Sequence, residues 1–347
     1  MRPEEAKARL AELDAELAAL LERRAELLLS LPAGAAQGVL HRPPLPAAAR
    51  LEGRYPAEVG KAIFRELSSG DRALLLPIQV SFLGPEASFT HQAALRHFGH
   101  GAQLLPAGGI PEVFRAVEGG SASFGVVPVE NSLEGAVSLT LDALVDSELT
   151  ICGEVSVEIA IHLLSREEDP ARVRAVYSHP HAIAQCRPWL SRHLPGVPIR
   201  EEASTSAAAR RAAEEAGAAA LASGMAADLY GLRTLAEKVD IQGHNLTRFF
   251  VIGREAPPRG ERSGTSLLVA IPDRPGALHQ MLAPFAEGGI NLTKIESRPS
   301  RRKAWEYVFF IDLEGHREDP PVRAALDRLA AETLFLKVLG SYARSQR

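Results

Sequence analysis

Thr247 and Arg248 stand side by side just before an apolar run, residues 249–252, late in the chain. The planar guanidinium group of an arginine can hold a carboxylate through two parallel hydrogen bonds. A threonine hydroxyl is too weakly acidic to release a free proton, so it can act as an acid only by donating a hydrogen bond while another bond breaks. The pair therefore predicts a site that binds a carboxylate and assists a leaving group.

Four other polar segments stand where a predicted strand gives way to a turn or a helix. They contain Ser88; Glu130, Asn131 and Ser132; Ser178 and His179, with Gln185 in the helix that follows; and Ser204, Thr205 and Ser206. The unpaired amides and the positive dipole end of a helix start attract anions, so such segments can bind carboxylates. Helix capping or turn formation explains each segment taken alone. Four of them in one domain indicate that they converge on one pocket.

His179 raises the separate question of a general acid, because histidine exchanges protons near neutral pH. A lone histidine in a turn is more often a capping or packing residue. No carboxylate partner can be read from the neighbouring sequence, so the capping role is favoured.

The segments that carry these residues alternate between short strands and helices. Strand-like runs cover residues 80–83, 124–129, 173–177 and 249–252, and helical patterns cover 93–98, 181–190 and 206–215. This rhythm is typical of βα units with a largely parallel sheet, in which ligands bind where loops leave the strand ends. Residues 79–254 are therefore predicted to form one α/β domain.

Two further domains are predicted on either side of it. Residues 1–76 are expected to be helical, because leucines recur at steps of three and four from Leu10 to Leu31, with Arg24 in their seam and a break at Pro32. After a linker at 254–264, residues 265–347 are predicted to form a ferredoxin-like βαββαβ domain. Its strands are expected at 266–271, 290–296, 305–313 and 337–342, and its helices at 276–287 and 322–329.

Composition limits the class of protein and partner. The 347 residues, 46% hydrophobic and 24% charged, fit two or three globular domains, and a formal net charge of −4 argues against a nucleic-acid partner. The two cysteines exclude a disulfide framework and a Cys-rich zinc site, and they fit a reducing cytosol. A charged start without a signal sequence, and an uncharged run of only twelve residues at 216–227, predict a cytoplasmic protein without a membrane span.

Five segments, in order and spacing, resemble the prephenate dehydratase family, whose members convert prephenate to phenylpyruvate on the route to phenylalanine. They are FLGPEASFTHQAA, GVVPVENSLEGAV, YSHPHAIAQC, STSAAAR and NLTRFF. The resemblance implies a two-lobed domain similar in shape to periplasmic binding proteins, and a reaction without cofactor or metal. It also implies that Thr247, in the TRF motif that Phe249 completes, is essential for dehydration. Glu130, Asn131, Ser178 and Gln185 match other residues of the family's site.

GALHQML and ESRP look like the regulatory ACT domain that follows in this family. The resemblance implies feedback by L-phenylalanine bound between ACT domains of two subunits, in a homodimer or homotetramer. Gly276 opens a helix after a strand and permits close approach of a ligand. The residues expected around the effector are Gly276, Ala277, Leu278, Asn291, Leu292, Glu296, Ser297, Arg298 and Pro299.

Residues 1–76 resemble the helical chorismate mutase domain of bifunctional relatives. Arg24 matches the family's buried arginine, although a tolerated polar residue in the seam also explains it. Ala35 stands where the family has a lysine, Lys7 stands where it has an arginine, and its following Arg-Glu pair and late glutamine are not found. We therefore expect a degenerate domain.

The main hypothesis is a prephenate dehydratase that phenylalanine inhibits. Arogenate dehydratase, whose substrate carries an amino group on its side chain, and a bifunctional enzyme with an active mutase domain remain open. A sensor of aromatic metabolites is the alternative without catalysis, and the intact TRF motif argues against it.

Overall fold

The computed structural model describes residues 1–32, 56–240, 245–257, 259, 262–299 and 307–344. The chain forms two compact units. The first comprises Met1–Gln79 with Phe98–Gln103, and the second Val80–His97 with Leu104–Arg347. Ala35 and Trp305, on which two of the predictions rest, lie outside the described residues.

In the first unit, the described residues form the helices α1 (Pro3–Leu29) and α2 (Ala57–Leu75). Helix α1 confirms the helix that the leucine pattern predicted, and it ends before Pro32. Arg24 of α1 forms a two-pronged ion pair with Asp71 of α2. The Arg24 side chain is half exposed in the single chain.

The second unit begins with an α/β domain of two lobes. Lobe A contains β1 (Gln79–Leu83), α3 (Phe89–Phe98), β2 (Gln103–Ala107), α4 (Ile110–Glu118), β3 (Phe124–Asn131), β4 (Gly135–Ala136), α5 (Ser138–Asp146), β5 (Thr150–Glu158) and the returning strand β11 (Leu246–Gly253). Lobe B contains β6 (His162–Ser165), β7 (Ala175–Ser178), α6 (Pro180–His193), β8 (Ile199–Glu201), α7 (Thr205–Glu214), β9 (Ala218–Ala222), α8 (Gly224–Tyr230) and β10 (Arg233–Ala236).

Both sheets are mixed, so the expectation of a largely parallel sheet was wrong. The strand order is β2–β1–β3–β11–β5 in lobe A and β10–β6–β9–β7–β8 in lobe B. Strand β1 runs parallel to β3, but β11 is antiparallel to both β3 and β5. In lobe A the reason is that β5 leads the chain out of the lobe and β11 brings it back beside the same strand, in the opposite direction. In lobe B, β6 is antiparallel to both β9 and β10, while β7 is parallel to β8 and β9.

Two chain crossings join the lobes, and they are bonded to each other. The Ile159 amide donates to the Asn245 carbonyl over 2.7 Å, and the Val239 amide donates to the Ile161 carbonyl over 2.8 Å. These bonds place Asn245, the residue that leads into β11, at the junction of the lobes, which we call the hinge.

The carboxy-terminal domain has the predicted βαββαβ order. It contains β12 (Ser263–Ala270), α9 (Ala277–Glu287), β13 (Leu292–Pro299), β14 (Tyr307–Glu314), α10 (Pro320–Glu332) and β15 (Phe335–Ala343), with the sheet order β13–β14–β12–β15. The helical segment, the two-lobed α/β domain and this domain confirm the predicted fold class.

Lobe A and the carboxy-terminal domain share one apolar core. Phe250 and Ile252 of β11 pack in the same cluster as Leu268, Phe310 and Leu339. Thr150 Oγ1 of β5 also donates to the Leu339 carbonyl over 2.9 Å. A side chain at Gly340 would collide with the Ile151 backbone, so only glycine allows this close approach. The backbones of the two domains are therefore in direct contact at this point.

No helix among the described residues is long and apolar enough to span a membrane.

Candidate active site

Strand β11 presents Thr247 and Arg248 on opposite faces, because successive side chains of a strand alternate. Strand β3 beside it does the same, with Asn131 paired to Thr247 and Glu130 paired to Arg248. Thr247 and Asn131 thus share one face, and Arg248 and Glu130 share the other. The structure separates two neighbours that the sequence had assigned to one site.

Thr247 is held by a hydrogen bond whose direction is determined. Asn131 Nδ2 lies 2.8 Å from Thr247 Oγ1. Asn131 Oδ1 accepts from the backbone amides of Leu133, at 2.9 Å, and Glu134, at 3.1 Å, so the other end of the side-chain amide must be the nitrogen. Because that nitrogen can only donate, Thr247 Oγ1 accepts in this bond, and its own proton is available to another acceptor.

The same chain of bonds extends into lobe B. Asn131 Nδ2 also donates to Asn245 Oδ1 over 2.8 Å, and Asn245 Nδ2 donates to Gln185 Oε1 over 3.3 Å. Gln185 Nε2 donates to Glu134 Oε1 over 3.5 Å, and His181 Nδ1 lies 2.8 Å from that oxygen. Side chains from both lobes and from the hinge therefore converge on Thr247.

Asn245, Glu134 and His181 belong to this group although the sequence had not singled them out. Each lies two or three residues from one that the sequence had singled out: Asn245 from Thr247, Glu134 from Asn131, and His181 from His179. The signal was therefore present, but the distances along the chain between β3, α6 and the hinge concealed which neighbours meet.

A second set of contacts between the lobes surrounds the turn that follows β1. Ser206 of lobe B donates to the Glu86 carbonyl, and Ser223 donates to the Ala87 carbonyl over 2.9 Å. Ala87 has a φ of +60°, a conformation that L-residues rarely adopt. Ser88 caps α3, with its hydroxyl accepting from the His91 amide over 3.2 Å. The turn is therefore bonded to lobe B through its backbone.

The remaining hydroxyls of lobe B mostly have structural partners. Ser178 is fully buried and donates to the Leu221 carbonyl over 2.7 Å. Ser204 caps α7, accepting from the Ala207 amide over 3.0 Å, and Thr205 is the first residue of that helix. In lobe A, Ser132 Oγ accepts from the Leu246 amide over 3.0 Å and anchors the start of β11.

His179 caps α6, as its sequence position favoured, by accepting from the His181 amide. Burial and the neighbouring His181 lower the pKa of His179 from its usual value.

Burial, with Glu255 adding to it, raises the pKa of the Cys152 thiol to about 12. Burial, with Asp240 adding to it, does the same for Cys186. Both thiols are therefore protonated at neutral pH and are poor nucleophiles.

Arg248 lies in a buried charge network between lobe A and the carboxy-terminal domain. Its guanidinium forms an ion pair with Asp312 of β14 and lies 3.4 Å from both Glu130 and Glu154. Burial lowers the pKa of Arg248, but the charges around it, Asp312 foremost, outweigh this effect and raise the pKa overall. Its fork is therefore occupied by carboxylates of the protein. Phe249, the next residue, is fully buried.

No group of three or more His, Cys, Asp or Glu side chains among the described residues is placed to hold a metal ion. What the arrangement offers is one oriented hydroxyl, a row of side-chain amides, and helix starts contributed by both lobes. Such a site can bind a carboxylate and donate a hydrogen bond to a departing oxygen.

Comparison with known proteins identifies the family. Residues 80–257 match the prephenate dehydratase family, and residues 265–331 match the ACT domain. The chain belongs to the prephenate dehydratase family. This confirms the resemblance inferred from the five segments and makes the protein an enzyme of that family.

Individual relatives agree with this assignment. A bifunctional chorismate mutase/prephenate dehydratase from Stutzerimonas stutzeri is 48% identical over 285 residues, covering 82% of this chain and 78% of the relative. One from Neisseria gonorrhoeae is 40% identical over 339 residues, covering 95% and 94%. The structure of a prephenate dehydratase in complex with L-Phe from Arthrobacter aurescens is 35% identical, with a TM-score of 0.71, covering 77% of this chain and 90% of that one.

In the ACT domain, the residues predicted to surround an effector lie in two places. Gly276 has a φ of +81° and caps α9, which begins with Ala277, buried, and Leu278, half exposed. Strand β13 forms an edge of the sheet and carries Leu292 and, at its end, Glu296, Ser297, Arg298 and Pro299. The Asn291 carbonyl, just before it, accepts from the Glu314 amide over 2.9 Å.

Arg298 reaches out of the ACT domain to the dehydratase domain. It donates to Ser138 Oγ over 2.7 Å and lies 3.0 Å from Asp142, both in α5. The segment expected to meet an effector therefore also contacts the domain that carries Thr247.

Proposed function

We propose that this protein converts prephenate to phenylpyruvate, carbon dioxide and water. The hydrogen bond from Asn131 Nδ2 to Thr247 Oγ1 carries the proposal, because it makes the threonine an acceptor from asparagine and leaves its proton for the substrate. Accepting that bond also stabilises negative charge on the threonine oxygen, which strengthens the hydroxyl as a donor.

The reaction needs few groups. The ring carboxylate leaves as carbon dioxide, and the electrons of its carbon–carbon bond complete the aromatic ring as the carbon–oxygen bond of the ring hydroxyl breaks. The departing oxygen takes up one proton and becomes water. In this proposal Thr247 donates to that oxygen as charge develops on it, and solvent restores its proton. The enzyme must otherwise hold two carboxylates and keep water out.

We propose that polar groups from both lobes hold the substrate. Asn131, Gln185 and the helix starts at Ser204, Thr205 and Ser206 are the proposed contacts, with Ser88 and His179 at the rim of the same cleft. Ser132, Ser178, Glu130 and Phe249 support these groups from behind. Arg248 is assigned a different role, because its fork is already taken by three carboxylates.

We also propose that L-phenylalanine inhibits the enzyme by binding at the ACT domain, in a homodimer or homotetramer. The ACT match and the L-Phe complex of the Arthrobacter aurescens relative support this. We propose a cytoplasmic location, and a helical amino-terminal unit that no longer acts as a chorismate mutase.

A comparison of turnover on prephenate and on arogenate tests the proposal. Purified full-length protein is expected to release phenylpyruvate from prephenate and to prefer prephenate to arogenate in kcat/KM. A preference for arogenate would make the enzyme an arogenate dehydratase. Binding of either compound without turnover would favour the sensor.

A further inference from the structure

Two pairs of consecutive residues connect the active site to the ACT domain. In the pair 130–131, Glu130 faces the ACT domain and Asn131 faces Thr247. In the pair 247–248, the threonine faces the cleft and Arg248 faces the ACT domain. The pairs lie opposite each other on β3 and β11. If an ACT-facing side chain moves and its strand moves with it, the active-site side chain next to it on that strand must therefore move by a similar amount.

The ACT domain holds both pairs by charge. Asp312 of β14 pairs with Arg248, and Lys294 of β13 lies 3.1 Å from Glu130. Arg248, Asp312, Lys294 and Glu154 expose less than 15% of their side chains. Asp312 is held in turn by a 2.5 Å hydrogen bond from Ser266, whose hydroxyl lies 2.6 Å from that of Tyr342. A buried charge stripped of one partner is costly, so these contacts hold the strands in place.

Strand β13 also links this network to the predicted effector site. Lys294 stands two to five positions before Glu296, Ser297, Arg298 and Pro299 on one strand. A displacement of β13 on effector binding would change the contact with Glu130. The coupling needs no new residue, since the same strand bears both groups.

We propose that Arg248 is a positioning residue for the dehydration: paired with Asp312, it sets the location of Thr247, and through this pair the ACT domain acts on turnover. The inference rests on the proposed function of Thr247. It assigns the arginine of the TRF motif to the domain interface and not to the substrate.

Asp312→Asn tests the proposal, because it removes the charge that Arg248 needs and keeps the size of the side chain. Glu314→Gln is the matched control: it removes a carboxylate two positions along the same strand, which pairs with Arg344 inside the ACT domain. Each protein is assayed for kcat, for KM and for inhibition by L-phenylalanine. Hydrogen–deuterium exchange is measured in β11 and β3.

Asp312→Asn is expected to lower kcat by about ten- to a hundredfold with KM nearly unchanged, since misplacement of a catalytic group affects the chemical step. Its inhibition by L-phenylalanine should be largely lost, and exchange in Leu246–Gly253 should increase. Glu314→Gln should match the wild type in all three. A purely structural role of Asp312 would lower the melting temperature without separating kcat from KM.

The proposal is overturned if Asp312→Asn matches Glu314→Gln in kcat, or if exchange in β11 is unchanged, whatever the turnover. Should Asp312→Asn fail to fold, Arg248→Lys, which keeps the positive charge but loses the planar fork that pairs with Asp312, must give the same changes. Exchange needs no substrate. A wild type without turnover on prephenate would therefore refute the proposed function, and exchange alone would still decide whether Arg248 holds β11.

Discussion

Asn131 donates a 2.8 Å hydrogen bond to Thr247, and the backbone amides of Leu133 and Glu134 determine its direction. A tight turn after β3 thus orients a hydroxyl on β11, more than a hundred residues later in the chain. The threonine is oriented before any substrate arrives. Preorganised donors of this kind lose little free energy to reorganisation when charge develops on the substrate.

Asn131→Asp separates the two functions of this side chain. A carboxylate still accepts from the Leu133 and Glu134 amides, so the turn should persist. The donor to Thr247 is replaced by an acceptor. The threonine hydroxyl would then donate its hydrogen bond to the new carboxylate and not to the substrate. We expect kcat to fall by about 10²-fold. Gln103→Glu adds the same charge at an exposed position and should have no effect. Turnover of Asn131→Asp within a few-fold of the wild type would contradict the assigned direction.

Glu134→Gln weakens the contact between the lobes, because the carboxylate that receives His181 and Gln185 loses its charge. The Glu134 and His181 side chains are largely exposed, so their contact contributes about 1 kcal/mol or less, and we expect KM for prephenate to rise by up to about fivefold. The effect on kcat should be smaller. Glu168→Gln, which removes an exposed carboxylate paired with Arg233 at 2.8 Å, is the control. Equal KM values in the two variants would rule out a role for Glu134 in the cleft.

Gly276→Val tests the effector site. A valine has room there, but the φ of +81° is strained for a branched side chain, so the start of α9 should change shape. Coupling between effector and active site typically changes activity by about five- to a hundredfold, and we expect the variant to lose that inhibition. Phenylalanine titrations of both proteins, each normalised to its own turnover without effector, provide the measurement. Equal inhibition would place the effector elsewhere.

The amino-terminal unit is expected to lack chorismate mutase activity. The Arg24 fork is neutralised by Asp71, and Ala35 stands where the resemblance implies a lysine. The carboxylates of chorismate would therefore find few cationic partners. The full-length protein should consume chorismate no faster than a buffer control. Consumption at a rate normal for an enzyme would make the protein bifunctional, like the Neisseria gonorrhoeae relative.

The order of elements could be predicted from the sequence because periodicity is a local property. The strands and helices of the ACT domain differ from the predicted ones by a few residues at their ends. The direction of β11 could not be predicted, since it depends on where the chain returns after lobe B. The mixed sheet of lobe A follows from that return.

The site shows the same limit. Thr247 was identified as a candidate donor from its type and position, and this assignment remains a prediction. Its partner in space, Asn131, lies more than a hundred residues earlier in the chain. Asn245 joins them only because the hinge folds there. The separation of Thr247 from Arg248 was accessible in principle, because adjacent residues of a strand face opposite sides.

The most direct test of the account is the kcat of Thr247→Ala for conversion of prephenate to phenylpyruvate, measured beside the wild type and Thr247→Ser. Removing one well-placed donor to developing charge should lower kcat by about 10²-fold or more. Thr247→Ser keeps the hydroxyl and should retain most of the turnover, while circular dichroism should show the same fold in all three proteins. A folded Thr247→Ala enzyme within a few-fold of wild-type turnover would remove Thr247 from the mechanism.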